Sequence, residues 1–246
     1  MRTSNPALSD RFLQNETVVN DVDKMTLMGT VNKSFMLLGM TLIGAAIAWS
    51  QVSGPWGVSI PGWYFPVMIG TFVLSLVIMF KNSLAPVLAP IYAITEGLLI
   101  GTISSLLEVS YPGLIIQAVS GTFGVFLAML IAYRSGYIKA TENFKLGVVA
   151  ATMGIGIMYI IDIALNAFAG RNVPLIHESS PIGIGFSLFV VGIAALNLVM
   201  DFDYIEKTVE RGAPKYMEWY GAFSLLITLI WLYLEMLRLI SKLSKK

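Results

Sequence analysis

Residues 34–80 read "SFMLLGMTLIGAAIAWSQVSGPWGVSIPGWYFPVMIGTFVLSLVIMF" and contain no Asp, Glu, Lys, Arg or His. A run of 47 uncharged residues is more than twice the ~20 that one helix needs to cross the hydrocarbon core of a bilayer. Its middle, "SGPWGVSIPGW" (53–63), supplies the glycines and prolines of a turn. The run therefore predicts two membrane-spanning helices, over 34–51 and 62–80. The same reading carries along the chain. A third span covers Ala85 to Leu107, interrupted only by Glu96, and a fourth covers 113–133, free of charge up to Arg134. A fifth over 144–169 contains Asp162, a sixth opens at Pro181 and ends near Asp201, and a seventh over 221–242 holds Glu235. The expectation is an all-α integral membrane protein with seven transmembrane helices over 31–246, preceded by a polar tail over 1–30.

Composition points the same way. The 246 residues are 56% apolar and 13% charged, with mean hydropathy +0.75. A soluble domain carries about a quarter of its residues charged, so the outer surface here is expected to face lipid. Net charge is +1, which gives no basic face for nucleic acid. The absence of cysteine excludes disulfides, thiolate metal sites and cysteine catalysis. The tail, with Asp10, Arg11, Glu16, Asp21, Asp23 and Lys24, lacks the apolar segment of a cleavable signal peptide and is expected to be retained.

Loop charge predicts an orientation. With the amino terminus in the cytoplasm, eleven Lys/Arg fall inside and five outside, and positive residues favour the cytoplasmic side. The basic carboxyl end, with Arg238, Lys242, Lys245 and Lys246, pulls the other way. Trp49, Trp63 and Trp219 sit at span ends, where an indole favours the interface. Gly97, Gly101 and Ser105 recur at helical spacing and read as a close helix–helix contact. No internal repeat supports a transporter built from inverted halves.

Glu96, Asp162 and Glu235 lie within spans, and Asp201 lies at the end of one, a turn beyond Asn197. An acid at the bilayer centre costs about 2.5–3.5 kcal/mol on insertion scales, so such residues pair, face a cavity or carry function. Simple structural pairings are available. Glu235 and Arg238 are spaced i, i+3 and can neutralise each other, and Asp162 can bond Asn166 one turn away. Four acids in one small bundle nevertheless suggest a polar interior. Desolvation disfavours a charged carboxylate, and two carboxyls a few Å apart share a proton. Such a site can report pH or bind a hard cation. Hydrolysis gains little support, because the single histidine, His177, is predicted in an external loop without partners for a metal site. No enzyme and no resident cofactor are expected. "DFDYIE" (201–206) contains a DxD pair, but it begins the charged stretch "DFDYIEKTVERGAPK", which reads as a solvated helix end and a turn.

Three segments resemble a known family. "YAITEGLLIG" (92–101), "NLVMDFDYIE" (197–206) and "WLYLEMLRLI" (231–240) are similar to the third, sixth and seventh spans of the transmembrane Bax inhibitor motif proteins. "MRTSNPAL" at the start and "GAPKYMEWYGAF" (212–223) resemble a bacterial, YccA-like branch, which would place the chain in a bacterial inner membrane. The resemblance implies a seven-helix bundle with the seventh helix central, pH-sensitive calcium leakage, and for some bacterial members modulation of a membrane protease. It implies a sensor of two acids, matched by Asp201 and Glu235, the latter standing where the family usually has aspartate. Asp203 lies beside the first, Glu96 matches an acid of the third span, and Lys81 falls near the family's basic partner. Asp162 has no counterpart in that pattern, and Arg238 is a supporting residue. Spacing sets a difficulty: in a symmetric hairpin Glu235 would lie about 15 Å deeper than Asp201, so direct pairing needs an asymmetric connection, or Glu235 pairs with Glu96 instead.

The favoured function is a pH-sensitive cation leak, with calcium as the permeant ion and Asp201 and Glu235 as its ligands. The alternative is a membrane interaction protein that modulates a membrane protease or a stress response through the tail or the 203–219 hairpin. An intramembrane aspartyl protease would need two aspartates at equal depth and a "GxGD" segment, which the sequence lacks.

Overall fold

A computed structural model describes residues 24–54 and 57–245 of the chain. Seven long helices account for most of these residues: α1 (Leu27–Val52), α2 (Tyr64–Phe80), α3 (Ala85–Ser110), α4 (Leu114–Arg134), α5 (Glu142–Ala169), α6 (Pro181–Glu210) and α7 (Met217–Ser244). Six of them are long and apolar enough to cross a membrane. The other, α2, has 17 residues and is about 26 Å long at helical rise, against a hydrocarbon core of about 30 Å. The helices pack as an all-α membrane domain.

The helix ends follow local chemistry. Thr141 caps α5 by accepting from the Phe144 amide at 3.3 Å, and Ser180 caps α6 by accepting from Gly183 at 3.2 Å, with Pro181 in the first turn. The turn between α1 and α2 holds a two-residue antiparallel pairing, Ser53 with Val58 and Gly54 with Gly57. A single helical turn, Pro174–His177, sits between α5 and α6.

Two boundaries differ from the sequence expectation by more than four residues. Helix α1 begins at Leu27 rather than 34, and α6 continues to Glu210, nine residues past Asp201. The α6 extension is charged and the α1 extension mixes Thr30, Asn32 and Lys33 with apolar residues, and hydropathy marks where lipid ends rather than where backbone hydrogen bonding ends. The charged stretch 201–210 is thus the helix end that its composition suggested, followed by a turn at Gly212 with φ of +67°. Part of the expected tail is also structured. Met25 N–H donates to the Ala213 carbonyl at 2.7 Å, tying the start of α1 to the α6–α7 turn. The acids and bases at 10–23 lie outside the described residues.

Packing centres on two contacts. Helices α1 and α3 lie closely side by side, because Gly97 and Gly101 leave no room for a side chain: a Cβ at either would strike the backbone of Thr41 or Ala45 on α1. The small-residue stripe read from the sequence is this interface, and Ser105 extends it, buried to 1% exposure. Helix α7 packs against α1, α3, α4 and α6. Its residues join both of the larger apolar clusters, one built on Leu198, Phe202, Leu232 and Leu237, the other on Leu37, Ile78, Tyr92 and Phe223.

Candidate functional site

Asp201 is held between α6 and α7. Its Oδ1 accepts from the Ser224 hydroxyl at 2.7 Å, while Oδ2 is sealed from solvent without a hydrogen-bond partner. The Thr228 hydroxyl, one turn along α7, stands beside the same carboxylate and donates to the Ser224 carbonyl at 3.3 Å. Asp201 and Ser224 therefore share one level of the bundle, and that fixes the position of the second expected sensor. Glu235 is eleven residues past Ser224 on the same helix, about 16 Å away at helical rise. The hairpin is symmetric, and the two acids do not pair.

Glu235 has a partner set of its own. It is 1% exposed, and both carboxylate oxygens lie 2.7 Å from Arg238 Nη1, while Oε1 also accepts from the Tyr159 hydroxyl of α5 at 2.8 Å. Arg238 donates to the Tyr159 hydroxyl as well, and its guanidinium stands 4.8 Å from the centre of that ring. The i, i+3 pairing that the sequence offered as the simple reading is the one that forms. Tyr159 closes it into a triad.

Glu96 turns away from both. It lines a cavity of about 280 Å³ between α2 and α3 together with Thr71, Ser75 and Tyr92, whose hydroxyl lies beside the carboxylate. Pairing of Glu96 with Glu235, the other expectation, is not seen either. The Tyr92 ring meets Phe223 of α7 edge-on at 4.9 Å, next in sequence to Ser224, which holds Asp201.

In the comparison with known proteins, the family model described as Bax inhibitor 1 like matches residues 5–245. The chain belongs to the Bax inhibitor 1-like family. No curated protein matches it.

The remaining charges of this Bax inhibitor 1-like protein sort by whether they have a counter-charge. Asp203 is two residues from Asp201, which on a helix turns it some 200° away. It takes Lys145 at 3.0 Å and Lys207 at 2.8 Å, so the DxD pair diverges and forms no common site. Asp162 does not bond Asn166, which instead donates to Asn172. Its carboxylate accepts from the Val173 amide at 2.7 Å and lies 2.7 Å from His177 Nε2. His177, expected to be an exposed loop histidine without partners for a metal site, has half its side chain exposed and clasps the 171–177 connection to α5. Lys81 is exposed at the end of α2 and makes no ion pair with these acids among the described residues.

Two buried charges went unread in the sequence. Glu218, 0% exposed in the first turn of α7, accepts from Lys33 at 2.6 Å, Lys215 at 2.9 Å, and the Thr26 amide and hydroxyl at 2.9 and 2.8 Å. Lys242, counted as part of a basic tail, is 3% exposed and donates to the Gly183 carbonyl and Ser187 hydroxyl, both at 2.9 Å. Both lie near span ends, where a charge raises no alarm in a hydropathy profile. Glu108 is satisfied by the amides of Gly113 and Ile115 at the start of α4. Among the described residues, Asp201 and Glu96 are the acids inside the bundle without a cation or an amide to balance them. No three His, Asp or Glu side chains converge there to hold a metal ion.

Proposed function

We propose that this Bax inhibitor 1-like membrane protein is a pH-sensitive cation leak, with calcium as a permeant ion and Asp201 as the group that gates it. The observation that carries the reading is the unpartnered, buried Oδ2 of Asp201 at the α6–α7 contact. With a proton on it, the carboxyl is a neutral donor that lets α6 and α7 stay closed around Ser224. Without the proton, that oxygen is a buried negative charge with nothing to balance it, which favours entry of a cation or separation of the helices. An ion passing through would meet one carboxylate at a time, Asp201 and then Glu235, which its salt bridge with Arg238 holds in a fixed place. Calcium takes six to eight oxygens, and a single carboxylate with water and hydroxyls binds it weakly, as passage requires.

The wider reading is a seven-span bundle around α7 in a bacterial inner membrane, with the amino terminus cytoplasmic. Loop charge supports that orientation. The contact of residues 24–26 with the 211–218 turn supports the span count, since six crossings return the chain to the side on which it began. The experiment is calcium uptake into liposomes holding only this protein, from pH 5 to 8. Asp201→Asn should flatten the pH response, whereas Glu235→Gln should keep the midpoint and change only rate or folded yield. A parent protein without flux at any pH would sink the leak reading and favour the role of regulating a membrane partner.

A further inference from the structure

We propose that the cavity between α2 and α3 is a separate binding site for a monovalent metal cation such as sodium, with Glu96 as its charged ligand. Two helices contribute oxygens at one level. Thr71 and Ser75 are spaced i, i+4 on α2, Tyr92 and Glu96 are spaced i, i+4 on α3, and all four line the cavity. Thr71 is 2% exposed, and its Oγ1 has no hydrogen-bond partner. A buried hydroxyl left unpaired is costly, and here its lone pairs are free. Ser75 spends its proton on the Phe72 carbonyl at 2.7 Å, which leaves the lone pairs of Oγ free as well. Glu96 makes no ion pair among the described residues, and an ionised carboxylate at this depth calls for one.

The donor set selects the ligand. All the polar atoms are oxygens, which suit hard cations rather than transition metals. One carboxylate balances one positive charge, whereas calcium sites gather several carboxylates. Met68, Phe72 and Leu99 complete the wall, so the surroundings are apolar and an anion would face Glu96 without compensation. The volume of about 280 Å³ leaves space for water ligands beside the ion. The site is distinct from Asp201, because the Tyr92–Phe223 ring contact stands between them.

The test is equilibrium binding of radioactive sodium to the purified full chain in detergent at fixed pH 8, with N-methylglucamine chloride holding ionic strength constant. It reads binding rather than flux, so it stands or falls separately from the leak. Saturable binding of one sodium per chain is expected, unchanged in Asp201→Asn and absent in Glu96→Gln. Thr71→Val, which keeps the side-chain shape, should raise the half-saturating sodium concentration several-fold. The same variant should leave the melting temperature in N-methylglucamine unchanged or higher, because it removes an unpaired hydroxyl. Thr71→Val carries the test if Glu96→Gln fails to fold. No saturable binding in the parent, binding retained in Glu96→Gln, or an unaltered half-saturation in Thr71→Val would each overturn the assignment and leave a cavity that holds water.

Discussion

Glu235→Gln should destabilise the bundle rather than retune its pH response, and the structure sets the size of the effect. The carboxylate is 1% exposed and is held by Arg238 and Tyr159, so the variant removes a buried charge and leaves the guanidinium behind. Breaking a buried pair by deleting one partner costs about 3–5 kcal/mol. The Arg238 side chain is 34% exposed and can reach solvent or headgroups, which places the cost near the lower end, about 3 kcal/mol. For a chain of this size each kcal/mol is worth about 2–4 °C, so the melting temperature should fall by about 6–12 °C. Removing both charges, as Glu235→Leu with Arg238→Leu, should restore most of that loss, because apolar replacement of a buried pair is often neutral or stabilising. Tyr159→Phe deletes two hydrogen bonds to ionised groups, the one to Glu235 and the one from Arg238, each worth about 1.5–3 kcal/mol. Thermal unfolding of the four proteins in one detergent, followed by loss of soluble monomer, measures the series. A Glu235→Gln protein that melts with the parent, or a double variant no better than the single, would refute the reasoning.

Three further outcomes follow from particular contacts. Gly97→Leu should abolish folded protein or lower its melting temperature sharply, because its side chain would strike the α1 backbone at Thr41, whereas Gly39→Ala, which faces open space, should change it little; gel-filtration yield separates them. Thr26→Val removes one of the bonds to the fully buried Glu218 and should cost about 1.5–3 kcal/mol, while deletion of residues 1–23 should leave melting and flux unchanged. Asp162→Asn should weaken the clasp to His177 and speed proteolysis of the 171–180 connection, with the pH midpoint of any flux left in place.

The sequence by itself determined the kind of protein this is. Forty-seven uncharged residues broken by one Gly- and Pro-rich turn point to lipid as the solvent, and the spacing of the breaks sets the helix ends within a few residues except at the start of α1 and the end of α6. It also marked the small-residue stripe at Gly97 and Gly101, because close backbone approach in lipid needs small side chains at helical period. The spacing from Asp201 to Glu235 already carried the warning that a symmetric hairpin would separate them, and their levels differ by about that distance. Partnership was a different matter. Whether Glu235 met Glu96 or was closed off by Arg238 and Tyr159 depended on the rotation of α7 against its neighbours, which one helix's sequence does not fix. The same holds for Tyr159, an ordinary residue in the sequence, and for Lys242, whose burial comes from the start of α6 folding over it. Only the tertiary structure decided which acids were left without a counter-charge, because that is set by residues brought together from four or five separate helices.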